Sequence, residues 1–231
     1  MRKMNVIVLT VGALVVVVGA VGWFACTGWK SVGIVFQDDA SSATRIDEIR
    51  VTGKTVALEV RPGTGPGVEI QRTARYLNPF HSRPGQTHRI VGNVLELGGD
   101  DSAMFGLIEY VVLAPAGVRI TADIGTGSID VADVSTVQAK VGTGSLTVTG
   151  ATDDVVATAG TGAVTVGLAV PADVEARTGT GSVDVVVPAD TYRVEASTGM
   201  GDLKLGIAND PNGEHRIALR SNMGQVTLAT R

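Results

Sequence analysis

The stretch ADIGTGSIDV at residues 122–131 decides the fold, because five further copies of its pattern follow it along the chain. Aligned on their second glycine, the six copies are anchored on Gly127, Gly144, Gly162, Gly181, Gly201 and Gly224, at spacings of 17, 18, 19, 20 and 23 residues. Self-similarity at a short period is the signature of a repeat architecture, in which each unit packs on its neighbours.

Hydrophobic residues recur at fixed distances from each anchor glycine. The positions seven and five residues before it, and two and four residues after it, are apolar in all six copies. A period of two on each side indicates strands with one buried face. The parity changes across the glycines, which indicates a bend or bulge there, and glycine readily takes the positive φ angle that such a bend needs. Each copy is therefore predicted to form strand, glycine bend, strand and a variable corner.

A unit of this size cannot bury its apolar face alone, so stacked units are expected to bury a continuous column of Val, Ile and Leu. The predicted fold class is all-β, a β-solenoid-like stack of six glycine-centred repeats over 117–231 preceded by degenerate strands over 46–116. The corners lengthen along the chain, from 132–136 to 206–216. The final strand, 225–230, has no obvious polar cap and is predicted to leave an open edge.

The composition agrees with short strands and tight turns, since 30 of the 231 residues are glycine and only 4% are aromatic. Residues 31–231 carry 16 basic and 23 acidic side chains, and this acidic balance argues against binding to nucleic acid or anionic lipid. The single cysteine, Cys26, precedes this body. No disulfide, zinc or thiol chemistry is therefore predicted within it.

Residues 6–26 form an uncharged stretch whose length suits one transmembrane helix. Arg2 and Lys3 precede it, which favours a cytoplasmic N-terminus and an extracytoplasmic body. We therefore predict a signal anchor with short flanks over 1–30 and an extracytoplasmic β domain over 31–231, located at the cell membrane. Two alternatives stay open: a cleaved signal peptide, or a lipoprotein signal in which Cys26 is lipidated.

Two surfaces are candidate binding sites. The stretch 72–89 is basic and contains aromatic residues, so it is a candidate for contact with an anionic envelope polymer, although a solvated loop is the simpler interpretation. The Gly-Thr-Gly-Ser turns would stack their hydroxyl groups into a stripe able to bind sugar or water, although the solvated side of a turn column is again the simpler interpretation. The candidate residues are Arg72, Arg75, Tyr76, Phe80, Arg83 and Arg89 in the basic stretch, and Thr126, Thr143, Thr161 and Thr180 in the stripe.

The repeat shows no pattern of catalytic or metal-binding residues. Its outward positions do not stack carboxylates, and all three histidines (His81, His88 and His215) lie outside the repeat units. A calcium-binding nonapeptide repeat would need aspartate where Ile129 and its equivalents stand. The glycine turns also lack the lysine and the following helix of a phosphate-binding loop. We therefore expect no catalytic residue, metal or cofactor, and a protein that is not an enzyme.

Several segments resemble the bacterial putative-adhesin family, in the type common in actinobacteria. They are GNVLEL (92–97), YVVLAPAGVRITADIGTGSIDV (110–131), the repeated G-T-G-S/A units and the closing SNMGQVTLATR. The resemblance covers roughly residues 45–231. It implies a membrane-anchored β domain of the cell surface and carries over no catalytic or binding residues.

The predicted function is that of a non-enzymatic, membrane-anchored surface protein, an adhesin or a module that binds an envelope polymer or another surface protein. The alternative is a structural or sensory module that self-associates end to end, or partners a signalling protein, through the open edge of the stack.

Overall fold

The computed structural model describes residues 34–76, 87–99 and 106–231, and these ranges contain 18 strands. In chain order the strands are β1 Ile34–Ser42, β2 Glu48–Pro62, β3 Val68–Tyr76, β4 His88–Val91, β5 Val94–Gly98, β6 Gly106–Ala114, β7 Arg119–Thr126, β8 Ile129–Ala132, β9 Val137–Thr143, β10 Leu146–Ala151, β11 Val155–Thr161, β12 Val164–Leu168, β13 Val174–Thr180, β14 Val183–Val187, β15 Tyr192–Met200, β16 Leu203–Leu205, β17 His215–Met223 and β18 Val226–Thr230.

The described residues include no helix that is long and apolar enough to cross a membrane. The anchor predicted over 1–30 lies outside them. The all-β prediction is confirmed for the part of the chain that the structure describes, and most strand pairs are parallel.

Each copy of the repeat contributes two strands, which together we call a coil. The first to sixth coils in chain order are β7–β8, β9–β10, β11–β12, β13–β14, β15–β16 and β17–β18. First strands pair in parallel with first strands and second strands with second strands, which gives two ladders. Equivalent repeat positions meet in register, as Ile120 does with Val137 and Leu146 with Val164. Parallel pairing in register follows from the repeat, because it lets every coil place its apolar side chains in the same columns.

Strand β2 acts as a further, degenerate coil at the start of the stack. Its first half pairs with β7, with Ile49 opposite Ile120, and its second half pairs with β8, with Leu58 opposite Ile129. The degenerate strands predicted over 46–116 thus begin with one strand of 15 residues. Val56, and not a glycine, occupies the anchor position, so the strand passes from one ladder to the other without a bend.

The stack departs from chain order at its other end. β17 lies between β13 and β15, and β18 lies between β14 and β16, so the sixth coil is inserted between the fourth and the fifth. The prediction of an open edge at 225–230 is therefore wrong, because β18 is paired on both sides. The fifth coil is the outermost one. The corner over 206–216 is the longest, and its length lets the chain pass the fifth coil and return beneath it.

The N-terminal strands cover the first end of the stack. β6 runs parallel to β2, β3 runs antiparallel to β6, and β1 runs antiparallel to β3. In the other ladder β5 pairs in parallel with the first half of β2. The short β4 pairs antiparallel with β5 and is the last described strand on that side. The strands β1 and β4 were not predicted, since Asp38 and Asp39 in β1 disfavour a strand.

The interior is one hydrophobic cluster that runs through the stack. Of the 24 apolar repeat positions, the 20 outside the fifth coil are at most 3% exposed. Burial of each valine, leucine or isoleucine among them contributes on the order of 1.5–3 kcal/mol. The four exceptions all belong to the fifth coil, which has a neighbour on one side only among the described strands: Val194, Ala196, Leu203 and Leu205.

Candidate binding surfaces

The anchor glycines set how closely the coils approach each other. Gly144 has a φ of 138°, and a Cβ atom placed on it would lie 1.6 Å from the carbonyl oxygen of Gly127. Its backbone N–H also donates to the carbonyl oxygen of Thr161 at 2.8 Å. At each of the other five anchors a Cβ atom would lie 2.2 Å or less from a backbone carbonyl oxygen, so only glycine fits there, and the residues beside the anchors are held in a fixed register.

The hydroxyl stripe predicted from the turns lies directly beside the anchor glycines. Thr126, Thr143, Thr161 and Thr180 are paired in sequence across four coils, and all four are exposed. We call these four residues the threonine column. Adjacent members lie about 4.8 Å apart along the stack, the spacing of paired strands. Within the described chain none of their hydroxyl groups takes part in a hydrogen bond, so all four are open to an external ligand or to water. Whether they bind one stays a prediction.

Arg72, the first residue of the basic stretch, does not lie on the surface. It is 5% exposed and forms an ion pair with Asp38, in which the Nε to Oδ2 distance is 3.2 Å. Its Nη1 donates to the Thr87 hydroxyl at 2.8 Å. The Arg72 guanidinium is therefore directed inward and is not available to an anionic polymer, which corrects its place among the candidate surface residues.

A buried polar network surrounds this ion pair. The Tyr110 hydroxyl donates to the carbonyl oxygen of Gly98 at 2.7 Å and also contacts the Thr87 hydroxyl. Burial raises the pKa of Tyr110 above its ordinary value. His88 lies nearby with both ring nitrogens buried and without a hydrogen-bond partner in the described chain. Burial, and secondarily the charge of Arg72, lowers the pKa of His88.

Two other arginines of the basic stretch are paired with acids on neighbouring strands. The Nη2 atom of Arg75 lies 3.0 Å from Oε2 of Glu109. The Nε–H of Arg89 donates to Oε2 of Glu96 at 2.8 Å. In both pairs the arginine is exposed and the glutamate is partly buried, and each pair offsets the arginine charge that an anionic polymer would meet. Tyr76 ends β3. Phe80 and Arg83 lie outside the described residues.

The structure also forms a shallow groove that the sequence did not predict. It crosses the outer face of β2, β3, β6 and β8, has a volume of about 430 Å³, and includes the carboxylates of Glu59, Glu109 and Asp130. Arg61 pairs with Glu59 and Arg75 pairs with Glu109. The parallel pairings of β2 with β6 and with β8 bring the three carboxylates together, the antiparallel β3–β6 pairing adds Arg75, and no local pattern signals these pairings. Across the described ranges, no group of three His, Cys, Asp or Glu side chains is arranged to hold a metal ion.

No family model matches the chain, and no curated protein matches its sequence significantly. Solved structures that align with the chain include a putative cell adhesion protein from Clostridium sporogenes ATCC 15579, at 11% identity and a TM-score of 0.45, with 84% of this chain and 100% of that chain covered. A putative adhesin from Bacteroides fragilis NCTC 9343 aligns at 15% identity and a TM-score of 0.35, covering 84% of this chain and 97% of that one.

A putative adhesin from Parabacteroides merdae ATCC 43184 aligns at 14% identity and a TM-score of 0.31, covering 85% of this chain and 96% of that one. None of the three comes from an actinobacterium, so the actinobacterial type of the adhesin-family resemblance stays a prediction.

Proposed function

We propose that the chain is a non-enzymatic, adhesin-type module of the cell surface, and that the threonine column is its ligand-binding face. The observation that carries this proposal is the column itself: four exposed hydroxyl groups, unbonded within the described chain, at one repeat position of four paired strands. The proposed anchor over 1–30 holds the β domain on the extracytoplasmic side, as the charges around residues 6–26 favour.

A neutral or weakly charged envelope polysaccharide is the ligand class that fits this face best. The column is fixed by the ladders, and threonine is stiff at χ1, so little conformational entropy is lost when a ligand binds. Each hydroxyl can donate and accept a hydrogen bond, which suits the repeated hydroxyl groups of a glycan. A single such contact is weak, and a polymer that meets several members of the column at once gains affinity through multivalency.

An anionic polymer is a less suitable ligand than the sequence suggested. Arg72 is buried in its ion pair, and Arg75 and Arg89 are matched by carboxylates. The 31–231 body also carries more acidic than basic side chains. The proposal of a non-enzymatic function rests on the outward repeat positions, whose threonines, lysines and isolated aspartates do not form an acid–base pair.

The test is binding of the detergent-solubilised full chain to polysaccharide isolated from the cell wall of the host. Replacing all four column residues by valine keeps the β-branched shape and removes the hydroxyl groups. We expect this variant to lose about tenfold or more in apparent affinity, as the removal of several weak hydrogen bonds implies. The control replaces Thr147 and Thr165 by valine, since these two residues are paired at one repeat position of the other ladder. Equal binding by the column variant and the unmodified chain would refute the proposal.

A further inference from the structure

The fifth coil exposes side chains that every other coil buries. Leu203 and Leu205 are 43% and 44% exposed, whereas Val226 and Leu228, at the same repeat positions in the adjacent coil, are 0% and 1% exposed. The opposite end of the stack is covered by antiparallel strands. The fifth coil thus leaves apolar side chains of the core exposed at this end of the stack, where no described strand covers them.

Backbone donors are also left without a partner at this end. In the sixth coil the N–H of Gly224 donates to the carbonyl oxygen of Met200 at 2.7 Å, and the N–H of Val226 donates to that of Asp202 at 2.9 Å. The equivalent donors of the fifth coil are the N–H groups of Gly201 and Leu203. They have no such acceptor in the described chain, so β16 presents an open strand edge.

The corner after β16 forms hydrogen bonds with only the first strand of this coil, β15. The Asn209 Oδ1 accepts a hydrogen bond from the Val194 N–H at 2.8 Å, and the Asp210 N–H donates to the carbonyl oxygen of Tyr192 at 2.9 Å. These contacts replace part of the coil that would come next beside β15. Among the described residues no comparable contact covers β16, so the unpaired edge is confined to the second ladder.

The charges on β16 indicate what this edge pairs with. Asp202 and Lys204 flank Leu203, both are exposed, and neither forms an ion pair within the described residues. At these two outward positions the other five copies read Ser and Asp, Ser and Thr, Ala and Thr, Ser and Asp, and Gln and Thr. The outermost coil alone carries opposite charges there. An acid and a base placed symmetrically about one residue form a self-complementary pattern.

We propose that β16 pairs antiparallel with β16 of a second copy of this chain, about a two-fold axis through Leu203. In this register the two Leu203 residues exchange both backbone hydrogen bonds, and Asp202 of each copy lies opposite Lys204 of the other. Opposite charges directly across an antiparallel pair are favourable and like charges are unfavourable. The pairing covers Leu203 and Leu205 and gives an end-to-end dimer with a threonine column at each side.

The register is tested by exchanging the charges. In the full chain in detergent micelles, Asp202→Lys and Lys204→Asp each create two like-charged contacts at the interface. We expect each single variant to weaken dimerisation about tenfold in analytical ultracentrifugation, and the double variant with both exchanges to recover it. If the single variants dimerise like the unmodified chain, or if the double variant does not recover, the proposed register is overturned.

A disulfide tests the two-fold axis directly. The Cα atoms of a hydrogen-bonded antiparallel pair lie about 5.5 Å apart, within the range that a disulfide spans. In a chain whose only native cysteine is removed by Cys26→Ser, Leu203→Cys is expected to form a covalent dimer on mild oxidation. The control, Thr165→Cys, places an exposed cysteine far from the edge and is expected to stay monomeric.

Two results would overturn the proposal. One is a Leu203→Cys chain that yields no more covalent dimer than the Thr165→Cys control. The other is an intrachain disulfide between residues 26 and 203 when Cys26 is retained, since it would show that the chain's own N-terminal segment occupies the edge. Dimerisation does not depend on glycan binding, so failure of either proposal leaves the other intact.

Discussion

The Ser221 hydroxyl donates a hydrogen bond of 3.0 Å to the carbonyl oxygen of Gly181, 40 residues earlier in the chain. Thr178 and Thr198 occupy the same repeat position as Ser221. Each donates to the carbonyl oxygen of the anchor glycine in the next coil toward the start of the stack, at 2.9 Å and 2.8 Å. The first three coils carry apolar residues there. These three hydroxyl groups therefore join the coils in the order in which they stack, and Ser221 joins the inserted sixth coil to the fourth.

Replacing Ser221 by alanine is expected to lower the free energy of unfolding by about 1 kcal/mol, since Ser221 is buried and its hydrogen bond has no replacement. Equilibrium urea unfolding followed by circular dichroism measures the change. Ser197→Ala, at an exposed position of the neighbouring coil, is the control and is expected to change the free energy of unfolding by less than about 0.5 kcal/mol. Equal effects of the two substitutions would contradict the assigned role of Ser221.

Replacing Gly144 by alanine is expected to destabilise the fold by on the order of 3 kcal/mol or more, because the new Cβ would overlap the carbonyl oxygen of Gly127 and the residue would keep a φ of 138°. Thermal or urea unfolding gives the loss. Gly65→Ala is the matched control, since a Cβ there would meet nothing within 4 Å. A Gly144→Ala chain as stable as the Gly65→Ala chain would show that the coils can separate at little cost.

Replacing Arg72 by methionine is expected to cost about 3 kcal/mol of stability, because it removes the buried guanidinium that pairs with the largely buried Asp38 carboxylate. The matched substitution Arg75→Met removes an arginine from a pair with Glu109 in which both side chains are solvent-exposed or half-buried, and it is expected to cost less than about 1 kcal/mol. Denaturant unfolding at neutral pH compares the two variants. Similar losses would mean that the Arg72 pair is no more important than a surface one.

The stability of the chain is expected to fall as the pH decreases below 6.5, the ordinary pKa of histidine. Burial and the nearby Arg72 lower the pKa of His88 in the folded state, while Asp38 opposes them more weakly, so the unfolded chain binds the proton first. The contribution of neutral His88 to the free energy of unfolding is fully present above pH 6.5 and is lost as the pH falls toward the lowered pKa. His88→Gln should flatten this part of the profile of unfolding free energy against pH. An unchanged slope in the variant would exclude His88 as its source.

Much of the fold was predictable from the repeat. The alternation of apolar residues about each anchor glycine gave the twelve strands of the six coils, their common register and the buried columns, because a strand with one buried face can satisfy that pattern in only one way. The threonine column followed for the same reason, since residues at one repeat position of stacked coils must lie in line. The glycine positions were also informative, because the positive φ at Gly144 excludes other residues.

The candidate basic surface was less predictable. A run of arginines gives no indication of which strand lies beside it, and Arg72 is buried only because β1 places Asp38 against β3. The groove over β2, β3, β6 and β8 depends on other non-local pairings, those of β2 with β6 and β8 and of β3 with β6. His88 likewise acquires its buried position from strands distant in sequence.

The sequence by itself determined the local elements and the periodic core, because strand propensity, glycine bends and apolar alternation act over a few residues. Only the tertiary structure decided the order of the coils. The fifth and sixth copies both fit the core columns, and the long corner over 206–216 permits either order. The sixth copy, with apolar Leu219 and Leu228, takes the buried place, and the fifth, with charged Asp202 and Lys204, takes the edge. That choice depends on the burial available across the whole stack, which no local pattern of residues encodes.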